Sequence, residues 1–392
     1  MLFRSGAIIV PMPGVIMPGV IMAVVVVIVQ MRTHVVLHSV GTASVARKLP
    51  HSGAVRQEWR LPGRAPNVSM MRALVCTEVG ASDNLLVEER PTPDPGPGQV
   101  RVAIRAAGAS FVDALQAAGK YQFPQKAPYT PGAESAGLVD AVGGGVIQWK
   151  VGDRVFVSGQ GAFATHIIAR EQQLTRLPDN IDFGRGASFL QVYGTAWFAF
   201  KHRTTIRPGE VVLVTGAGGG VGLAAVDVAR SMGAKVIAVA SSKEKRDLAI
   251  SVGAFAAIDP TTEDVKSRAR ELTDGQGIDV VYDVVGGDVC EQALRALKFD
   301  GRLVIIGFTA GIPRIPLNLV LLNNRTVVGV EWGGWIMRNP DDNKAMLVEV
   351  LAAIASGELH PVAPFERPLA EGADVLNELL TRRAVGKIVL IP

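Results

Sequence analysis

The chain has 392 residues, of which 48% are hydrophobic and 19% are charged, a composition typical of a globular protein with two or three domains. Residues 1–70 hold seven Lys and Arg against one Glu, whereas the rest holds 33 basic and 35 acidic residues, so the main body lacks the basic balance of a nucleic-acid-binding protein. Cys76 and Cys290 are the only cysteines, which argues against a disulfide framework and fits a reducing compartment.

The N-terminal residues 1–70 differ in composition from the remainder. Residues 5–31 carry no charge and are long enough to span a bilayer, but three prolines interrupt their first half. The dense apolar part has a length closer to that of a signal peptide, and the Arg-rich stretch after it resembles a transit peptide. Alternatively, the protein begins at Met71, which opens a natural first strand. We favour a removable leader or a start at Met71 over a permanent anchor.

From Met71 to about Asp182 the sequence predicts short strands separated by Gly/Pro turns, as in a small barrel-like domain. Helical patterning follows, and then strands alternate with helices. The predicted strands of this second part cover residues 211–214, 235–240, a short run near 258, 278–286, 301–307 and 325–332. An amphipathic helix over 345–356 and a closing strand within 386–392 complete the pattern.

A glycine cluster over residues 216–222 separates the strand at 211–214 from a predicted helix at 223–232. With the strand at 235–240 this makes a βαβ unit of about thirty residues. Glycines let the backbone approach a pyrophosphate, whose charge lies at the helix N-terminus. The spacing Ala217-x-Gly219-x-x-Gly222 has alanine in place of the usual first glycine. In this context it predicts dinucleotide binding.

The end of the second strand indicates which dinucleotide is bound. NAD sites place an Asp or Glu there to accept hydrogen bonds from the ribose 2′-hydroxyl. Here the strand ends at Ala240 and is followed by Ser241, Ser242 and Lys243, with Lys245 close behind. Hydroxyl and ammonium groups suit a phosphate, so NADPH is favoured over NADH. A solvated helix start would explain the lysines as well.

From Met71 to Pro392 the chain resembles the zinc-independent medium-chain dehydrogenases/reductases of the quinone oxidoreductase (NADPH:quinone reductase) type. The similarity covers everything except the N-terminal extension and rests on the order and spacing of several motifs. These motifs are AAGASFVDALQAAGKYQ, PYTPGAESAGLV, VGDRVFV, YGTAWFAF, GAGGGVGLAA, YDVVGGD, GRLVIIGF and RRAVGKIVLIP.

The resemblance implies an α/β protein with a GroES-like β-barrel catalytic domain and a Rossmann-type doubly wound parallel sheet. The implied catalytic domain comprises residues 71–194 and 333–392, so the C-terminal segment would return to it. Residues 195–332 would form the NADPH-binding domain, with the cofactor in the cleft between the two. Residues 1–70 would lie outside this fold.

Residue types predict that no metal is bound. Zinc-bearing relatives carry Cys where this chain has Ser110, and a His-Glu pair where it has Ala133 and Glu134. They also carry a four-cysteine lobe, which two cysteines cannot build. His166 and His202 have no second ligand nearby in sequence.

The resemblance also implies site residues. Tyr121 matches a tyrosine that approaches the nicotinamide or substrate, Ser110 stands where relatives usually have Asn, and Thr195 matches a residue near the nicotinamide. Leu115 replaces a second tyrosine and makes that side of the pocket apolar. Turn packing would explain Tyr121 as well, and helix packing would explain Thr195. No convincing general acid is found: water or Tyr121 would supply the proton.

Eleven residues are implied to bind the cofactor. Ser241, Lys245 and Arg382 match the side of the 2′-phosphate, where Pro260 replaces a tyrosine contact of some relatives. Core packing explains the three residues implied at the nicotinamide pocket almost as well. The full set is Ala217, Gly219, Gly220, Val221 and Gly222 at the turn, Ser241, Lys245 and Arg382 at the phosphate, and Phe308, Val330 and Trp332 at the nicotinamide pocket.

The function predicted from these features is NADPH-dependent hydride transfer to quinones or α,β-unsaturated carbonyls without zinc. An enoyl-thioester reductase is the alternative within the same class of enzyme, and a non-catalytic NADPH-binding sensor or structural protein is the alternative outside it. The resemblance further implies a cytoplasmic homodimer with a small-molecule quinone or enone substrate. No nucleic-acid partner is predicted, and no membrane association for residues 71–392. An organelle or membrane location would follow if residues 1–70 are made and used.

Overall fold

The computed structural model of the protein describes residues 69–81 and 84–392. Apart from Ser69 and Met70, the residues for which a leader is predicted lie outside this part. The first half of the described chain is mainly antiparallel β-structure with one short helix. Its elements are β1 (Met70–Cys76), β2 (Leu85–Pro91), β3 (Gln99–Ala109), α1 (Phe111–Ala117), β4 (Glu134–Val142), β5 (Arg154–Ser158), β6 (His166–Arg170) and β7 (Leu174–Arg176).

A helical segment and an alternation of strands and helices follow. The helical segment holds α2 (Phe183–Gly186) and α3 (Thr195–Phe198), and α3 lies between π-helical turns at Leu190–Gly194 and Ala199–Arg203. The alternating part holds β8 (Val211–Thr215), α4 (Gly220–Ser231), β9 (Lys235–Val239), α5 (Lys243–Val252), β10 (Ala256–Ile258), α6 (Val265–Glu271), β11 (Ile278–Asp283), α7 (Gly287–Ala296), β12 (Leu297–Ile305), α8 (Leu317–Leu321) and β13 (Thr326–Gly329). The last elements are α9 (Trp332–Arg338), α10 (Pro340–Ser356), β14 (Phe365–Pro368), α11 (Gly372–Leu380) and β15 (Ile388–Ile391).

Strands β8 to β13 form a six-stranded parallel sheet in the order β10-β9-β8-β11-β12-β13. This is the strand order of a doubly wound dinucleotide-binding sheet, and its direction reverses between β8 and β11. Continuous apolar runs suit such strands because helices cover both faces. Strand β8 illustrates this, since Val212, Leu213 and Val214 are fully buried. Ligands of such sheets bind beyond the carboxyl ends of the strands at the reversal point.

The C-terminal strands complete the sheet of the first half. Strand β15 pairs antiparallel with β3, with Ile388 opposite Ala109 and Leu390 opposite Ala107, and β14 pairs with β15. The full order is β14-β15-β3-β4-β5-β7, and β6 also pairs with β3. The predicted combination of a barrel-like β-part and a doubly wound parallel sheet is confirmed.

Several element boundaries differ from those expected, among them those of α10, α4 and β13. Helix α10 begins at Pro340 instead of residue 345, because proline suits the first turn of a helix. Helix α4 begins inside the glycine cluster. The last strand of the parallel sheet ends at Gly329, and Glu331 then caps α9 by accepting hydrogen bonds from the Gly334 N–H at 2.8 and 2.9 Å.

The buried core falls into separate clusters. One lies between the parallel sheet, α4, α10 and the helical segment, and includes Phe198, Phe200 and Tyr282. A second fills the antiparallel part, and a third lies on the other face of the parallel sheet. Within residues 69–81 and 84–392, no helix is both long enough and apolar enough to cross a membrane.

Candidate active site

The glycine-rich turn lies between β8 and α4, at the reversal point of the parallel sheet. Gly216 has a left-handed φ of 64°, a conformation that favours glycine. The Ala217 N–H donates to the Val239 carbonyl at 3.1 Å and ties the turn to β9. Gly219 precedes α4 and supplies no side-chain cap, so the first N–H groups of this twelve-residue helix lack side-chain partners. Such N–H groups, together with the helix dipole, suit a pyrophosphate.

Helix α4 approaches the turn so closely that Gly222 has no room for a side chain. A Cβ there would lie 2.2 Å from the Gly216 carbonyl oxygen and 2.7 Å from the Cα of Ala217. A Cβ at Gly219 would meet nothing closer than the Gly216 oxygen at 3.7 Å. Gly222 therefore permits the packing of helix against turn, whereas Gly219 leaves an open face.

A buried carboxylate shapes the neighbouring loop, which follows β11. The Thr215 hydroxyl donates to Asp283 at 2.5 Å, joining the ends of β8 and β11. The same carboxylate oxygen accepts from the N–H groups of Val285 and Gly286 at 3.1 and 3.2 Å. Sequence reasoning missed this residue. The available signal was a single Asp at the end of an otherwise apolar strand, within YDVVGGD.

Two of the residues implied at the 2′-phosphate lie together beside the turn. The Lys245 ammonium donates to the Arg382 carbonyl at 2.9 Å. Burial lowers the pKa of Lys245, Glu244 raises it, and the Arg382 guanidinium lowers it again. The two cations are therefore close enough to repel each other, which an anion between them would relieve. Ser241 is exposed after the end of β9.

The segment that carries Arg382 runs along the glycine turn. The Gly386 N–H donates to the Gly218 carbonyl at 2.9 Å. The side chain of Lys387 packs against Gly220, the first residue of α4, where an added Cβ would lie 3.4 Å from its Cδ. The C-terminal segment thus reaches the cofactor turn immediately before it enters the antiparallel sheet as β15.

Tyr121 lies close enough to Glu331, which follows the parallel sheet, and to Asp113 of α1 to feel the charge of both. Burial raises the pKa of Tyr121, and the nearby charges of Glu331 and Asp113 raise it further. Glu331 directly follows Val330, one of the residues implied at the nicotinamide pocket. The tyrosine is half-buried, and its ring contacts Phe123 edge-on at 5.8 Å between centroids. Tyr121 thus keeps its proton and can donate a hydrogen bond in the cleft.

The other implied pocket residues lie in different environments. The Thr195 hydroxyl donates to the Gln191 carbonyl at 2.5 Å, within its own helical segment. Trp332 is buried against Gly194, and its indole N–H donates to Asn343 at 3.1 Å. Phe308 is 44% exposed and lies beside the loop after β11, whereas Val330 is partly buried. Trp332 therefore supports the helical segment that carries Thr195.

Ser110 caps helix α1 in a pair with Asp113, which sequence reasoning missed. The Ser110 hydroxyl donates to the Asp113 carboxylate at 2.6 Å, and the Ser110 N–H donates to the same oxygen at 2.9 Å. The Asp113 N–H donates back to the Ser110 hydroxyl at 3.2 Å. The Ser-x-x-Asp spacing was the available signal, since it is the sequence pattern of a capping box.

A buried ion pair joins three segments of the chain. The Lys387 ammonium donates to Glu134 at 2.6 Å and to the Ala109 carbonyl at 2.8 Å. The other oxygen of Glu134 accepts from the Gln191 N–H at 3.0 Å. The lysine side chain is 10% exposed and the glutamate is fully buried. Lys387 thereby connects the start of β4, the end of β3 and the glycine turn.

A metal site requires several ligand side chains close together. No group of three His, Cys, Asp or Glu side chains in residues 69–81 and 84–392 is arranged to hold a metal ion. Cys76 and Cys290 are both buried free thiols, in different core clusters.

Two family models and a set of relatives match the chain. The alcohol dehydrogenase GroES-like domain matches residues 96–179, and the model described as zinc-binding dehydrogenase matches residues 220–352. The quinone oxidoreductase-like protein 2 homolog of Nematostella vectensis is 38% identical over 328 residues, which cover 81% of this chain and 88% of that protein. The bovine quinone oxidoreductase-like protein 2 is 36% identical and matches 89% of this chain and 99% of its own length. The matched 89% of this chain is longer than the segment from Met71 to Pro392, so the match includes residues before Met71.

Solved structures agree with these relatives. The Escherichia coli quinone oxidoreductase, whose structure is described as a complex with NADPH, superposes with a TM-score of 0.75 at 29% identity and covers 82% of this chain and all of its own. The Pseudomonas syringae quinone oxidoreductase superposes with a TM-score of 0.74 at 32% identity over the same share of this chain. The chain therefore belongs to the quinone oxidoreductase family of medium-chain dehydrogenases/reductases.

Proposed function

We propose that the protein is an NADPH-dependent reductase that transfers hydride to quinones or α,β-unsaturated carbonyl compounds without zinc. The observation that carries this proposal is the pairing of two cations, Lys245 and Arg382, beside the glycine-rich turn. Neither Ala240 nor Ser241, after β9, can accept hydrogen bonds from a ribose 2′-hydroxyl as an acid would. A 2′-phosphate would match the paired cations, which supports NADPH over NADH.

The described residues fit the cofactor along its length. The N–H groups at the start of α4 would hold the pyrophosphate, where Ala217, Gly219, Gly220, Val221 and Gly222 form the turn. Phe308, Val330 and Trp332 would bound the nicotinamide, with Thr195 beside them. The bound cofactor supplies the hydride, and the protein contributes binding, orientation and exclusion of water.

The acceptor class follows from the residues at the positions of zinc ligands in relatives. The Ser110 hydroxyl is bonded to Asp113, and Ala133 has no ligand atom. Neither replaces a thiolate or an imidazole. Without a Lewis acid there, charge developing on an isolated carbonyl oxygen is poorly stabilised. Quinones and enones delocalise that charge, so they are the acceptors that this site suits.

A panel of acceptors tests the proposal directly. Oxidation of NADPH and of NADH should be measured with small quinones, enals, enones, enoyl thioesters and simple alcohols as substrates, with zinc content measured on the same preparation. We expect turnover of quinones or enones with NADPH, and a zinc content far below one ion per chain. Oxidation of simple alcohols with no reduction of any conjugated acceptor would reject the mechanism. Tight NADPH binding without turnover of any acceptor would favour the non-catalytic alternative.

Enoyl-thioester reduction is the second candidate, and two similarities favour it. The CurK enoyl reductase superposes on this chain with a TM-score of 0.74 at 27% identity, covering 82% of this chain. A mycobacterial polyketide synthase, described as mycocerosic acid synthase-like, is 32% identical to 76% of this chain over 14% of its own length. A higher kcat/KM for enoyl thioesters than for quinones in the panel would select this candidate.

Replacing Lys245 by alanine should weaken NADPH binding about tenfold or more, because a charge-assisted contact contributes roughly 1.5–3 kcal/mol. NADH lacks the 2′-phosphate, so its binding should hardly change. Calorimetric titration with both cofactors measures the effect. Lys235→Ala is the matched control, since Lys235 is exposed at the start of β9, the end of that strand away from Ser241. Equal losses for NADPH and NADH would show that Lys245 acts on the fold or the pyrophosphate.

Tyr121→Phe should slow turnover by about five- to thirtyfold without abolishing it. The hydroxyl would orient the acceptor through one hydrogen bond, which contributes roughly 1–2 kcal/mol. Steady-state kcat with a quinone and an enone checks this. Tyr282→Phe serves as the control, because the Tyr282 hydroxyl is buried without a hydrogen-bond partner in the core. A kcat within twofold of wild type would remove Tyr121 from the mechanism.

The domain division and assembly are proposed on related grounds. The pairing of β15 with β3 supports a catalytic domain of residues 71–194 and 333–392 around a cofactor domain of residues 195–332.

Strand β13 is an edge strand of the described parallel sheet, and Leu321, Leu322 and Val327 near it are exposed. Such an edge supports a homodimer, which sedimentation tests. The unpaired thiols support a cytoplasmic location.

A further inference from the structure

One buried acid beside the cleft has no part in the mechanism described so far. Asp113 is fully buried, and its Oδ1 has no hydrogen-bond partner. Its Oδ2 alone accepts the hydroxyl and the N–H of Ser110. A buried oxygen without a partner is unfavourable, and capping α1 needs only the bonded oxygen. The residue therefore calls for an explanation beyond helix capping.

Charged and titratable groups face Asp113 from other segments of the chain. Lys387, which precedes β15, attracts the carboxylate, and Glu134 of β4 repels it. Lys387 is bonded to Glu134 at 2.6 Å, so its charge is already largely matched. Tyr121 and Tyr129 also face the acid, and burial, aided by its charge, raises the pKa of both hydroxyls. Asp113, Glu134 and Lys387 together provide two carboxyl groups and one ammonium group. A proton on Asp113 therefore makes the net charge of this set zero.

Burial dominates the ionisation of this carboxyl. It raises the pKa of Asp113 to about 6, against the lowering effect of the Ser110 hydrogen bonds and of Lys387. The group therefore exchanges its proton near neutral pH, the range in which a general acid is most effective. Ser110 is only half-buried, whereas Asp113, to which its hydroxyl is bonded at 2.6 Å, is fully buried, so the hydroxyl connects the acid to the accessible side of the helix start.

We propose that Asp113 is the proton source of the reaction and that the Ser110 hydroxyl relays its proton to the acceptor oxygen. The inference rests on the proposed function. The acceptor carbon gains a hydride from the nicotinamide cofactor, which is oxidised, and an electron pair moves onto the acceptor oxygen. With Asp113 protonated, its Oδ2–H donates across the 2.6 Å contact to the Ser110 oxygen, which leaves the Ser110 O–H free to donate to the acceptor. The acceptor oxygen takes the hydroxyl proton of Ser110, the Ser110 oxygen takes the carboxyl proton of Asp113, and solvent returns a proton to the buried Asp113 through the half-buried Ser110 hydroxyl.

The test compares three variants of the full chain with wild type. The wild-type kcat should fall as pH rises above about 6, because the protonated carboxyl is the active form. Asp113→Asn and Ser110→Ala should each lower kcat about a hundredfold and flatten the pH profile, as expected for loss of a general acid. Ser110→Thr keeps both the hydroxyl and the helix cap, so it should retain kcat near wild type. A double variant that combines Asp113→Asn with Ser110→Ala should lose far less activity than the two single losses predict if they were independent.

Two further measurements separate the relay from a structural role. Asp264→Asn removes another cap carboxylate, which accepts from Ser267 at 2.8 Å on α6, and should leave the pH profile unchanged. Infrared titration of the protein without substrate should show a protonated carboxyl band with a midpoint near pH 6, lost in Asp113→Asn.

The outcomes distinguish this inference from the proposed function. Wild-type turnover of quinones or enones together with unchanged kcat and pH profile in Asp113→Asn and Ser110→Ala would overturn the relay alone. No turnover of any acceptor by wild type would overturn both. If Asp113→Asn fails to fold, Ser110→Ala against Ser110→Thr decides: equal kcat in these two variants rejects the relay.

Discussion

Replacing Lys387 by methionine should lower the free energy of unfolding by about 3–5 kcal/mol, the cost of leaving a buried charge without its partner. The Lys387–Glu134 pair is 2.6 Å long, with the lysine 10% exposed and the glutamate fully buried. Methionine fills the space of the lysine stem but supplies no charge, so Glu134 keeps only its hydrogen bond from the Gln191 N–H. The Ala109 carbonyl loses a donor as well.

Denaturant unfolding at neutral pH measures this loss, provided that the slope of the transition is unchanged. Lys243→Met is the matched control: its ion pair with Asp247 is also 2.6 Å long, but the two side chains are 82% and 61% exposed. An exposed pair contributes about 0.5 kcal/mol, so the control should be nearly as stable as wild type. Adding Glu134→Gln to Lys387→Met should restore part of the stability. Similar losses at Lys243 and Lys387 would contradict the importance of burial.

Gly222→Ala should reduce both the stability of the fold and the affinity for NADPH. The added Cβ would lie 2.2 Å from the Gly216 carbonyl oxygen, and backbone atoms on both sides leave no flexible group to move aside. Overpacking of this kind costs about 1–3 kcal/mol, and here the strain falls on the turn that presents the first N–H groups of α4. We expect NADPH affinity to fall about tenfold or more, since those groups would no longer converge on the pyrophosphate.

Gly219→Ala separates the two effects. Gly219 has an ordinary φ of −97°, and a Cβ there would meet nothing closer than the Gly216 oxygen at 3.7 Å. Thermal unfolding without cofactor should therefore resemble wild type, whereas calorimetric titration should show weaker NADPH binding. Loss of stability in Gly219→Ala, or unchanged stability in Gly222→Ala, would contradict the assignment of packing to Gly222 and ligand approach to Gly219.

Local patterns predicted most of the nucleotide-binding part. The apolar run at residues 211–214, the glycine cluster and the run at 235–240 became β8, the turn and β9 with shifts of one residue at the strand ends. The start of α4 was placed three residues too late, because the glycines that are weak helix formers elsewhere lie here in the first turn of the helix. Strand β12 begins at Leu297, earlier than expected from its apolar run at 301–307.

Patterns along the chain were less informative about the site. The Ser-x-x-Asp spacing marks a cap at Ser110, but it does not reveal that Asp113 is buried beside Lys387 and Glu134. The implied positions of Tyr121 and Trp332 came from resemblance, and their environments differ: one lies in the cleft and the other backs Gly194. The local sequence does not distinguish these two environments, because the burial of each ring and the neighbours that face it depend on distant segments of the chain.

The sequence by itself determined the elements whose signals are local: the alternating strands and helices, and the glycine turn with its missing acid. Only the tertiary structure decided which of these meet. Lys245 and Arg382 are 137 residues apart, and Lys387 and Glu134 are 253 apart, yet each pair is in contact. Their contact depends on β15 pairing with β3, two strands between which the parallel sheet lies in the sequence. Periodicity and spacing report on neighbours within a few residues, whereas the charge, burial and ionisation of this site arise from chain segments that packing brings together.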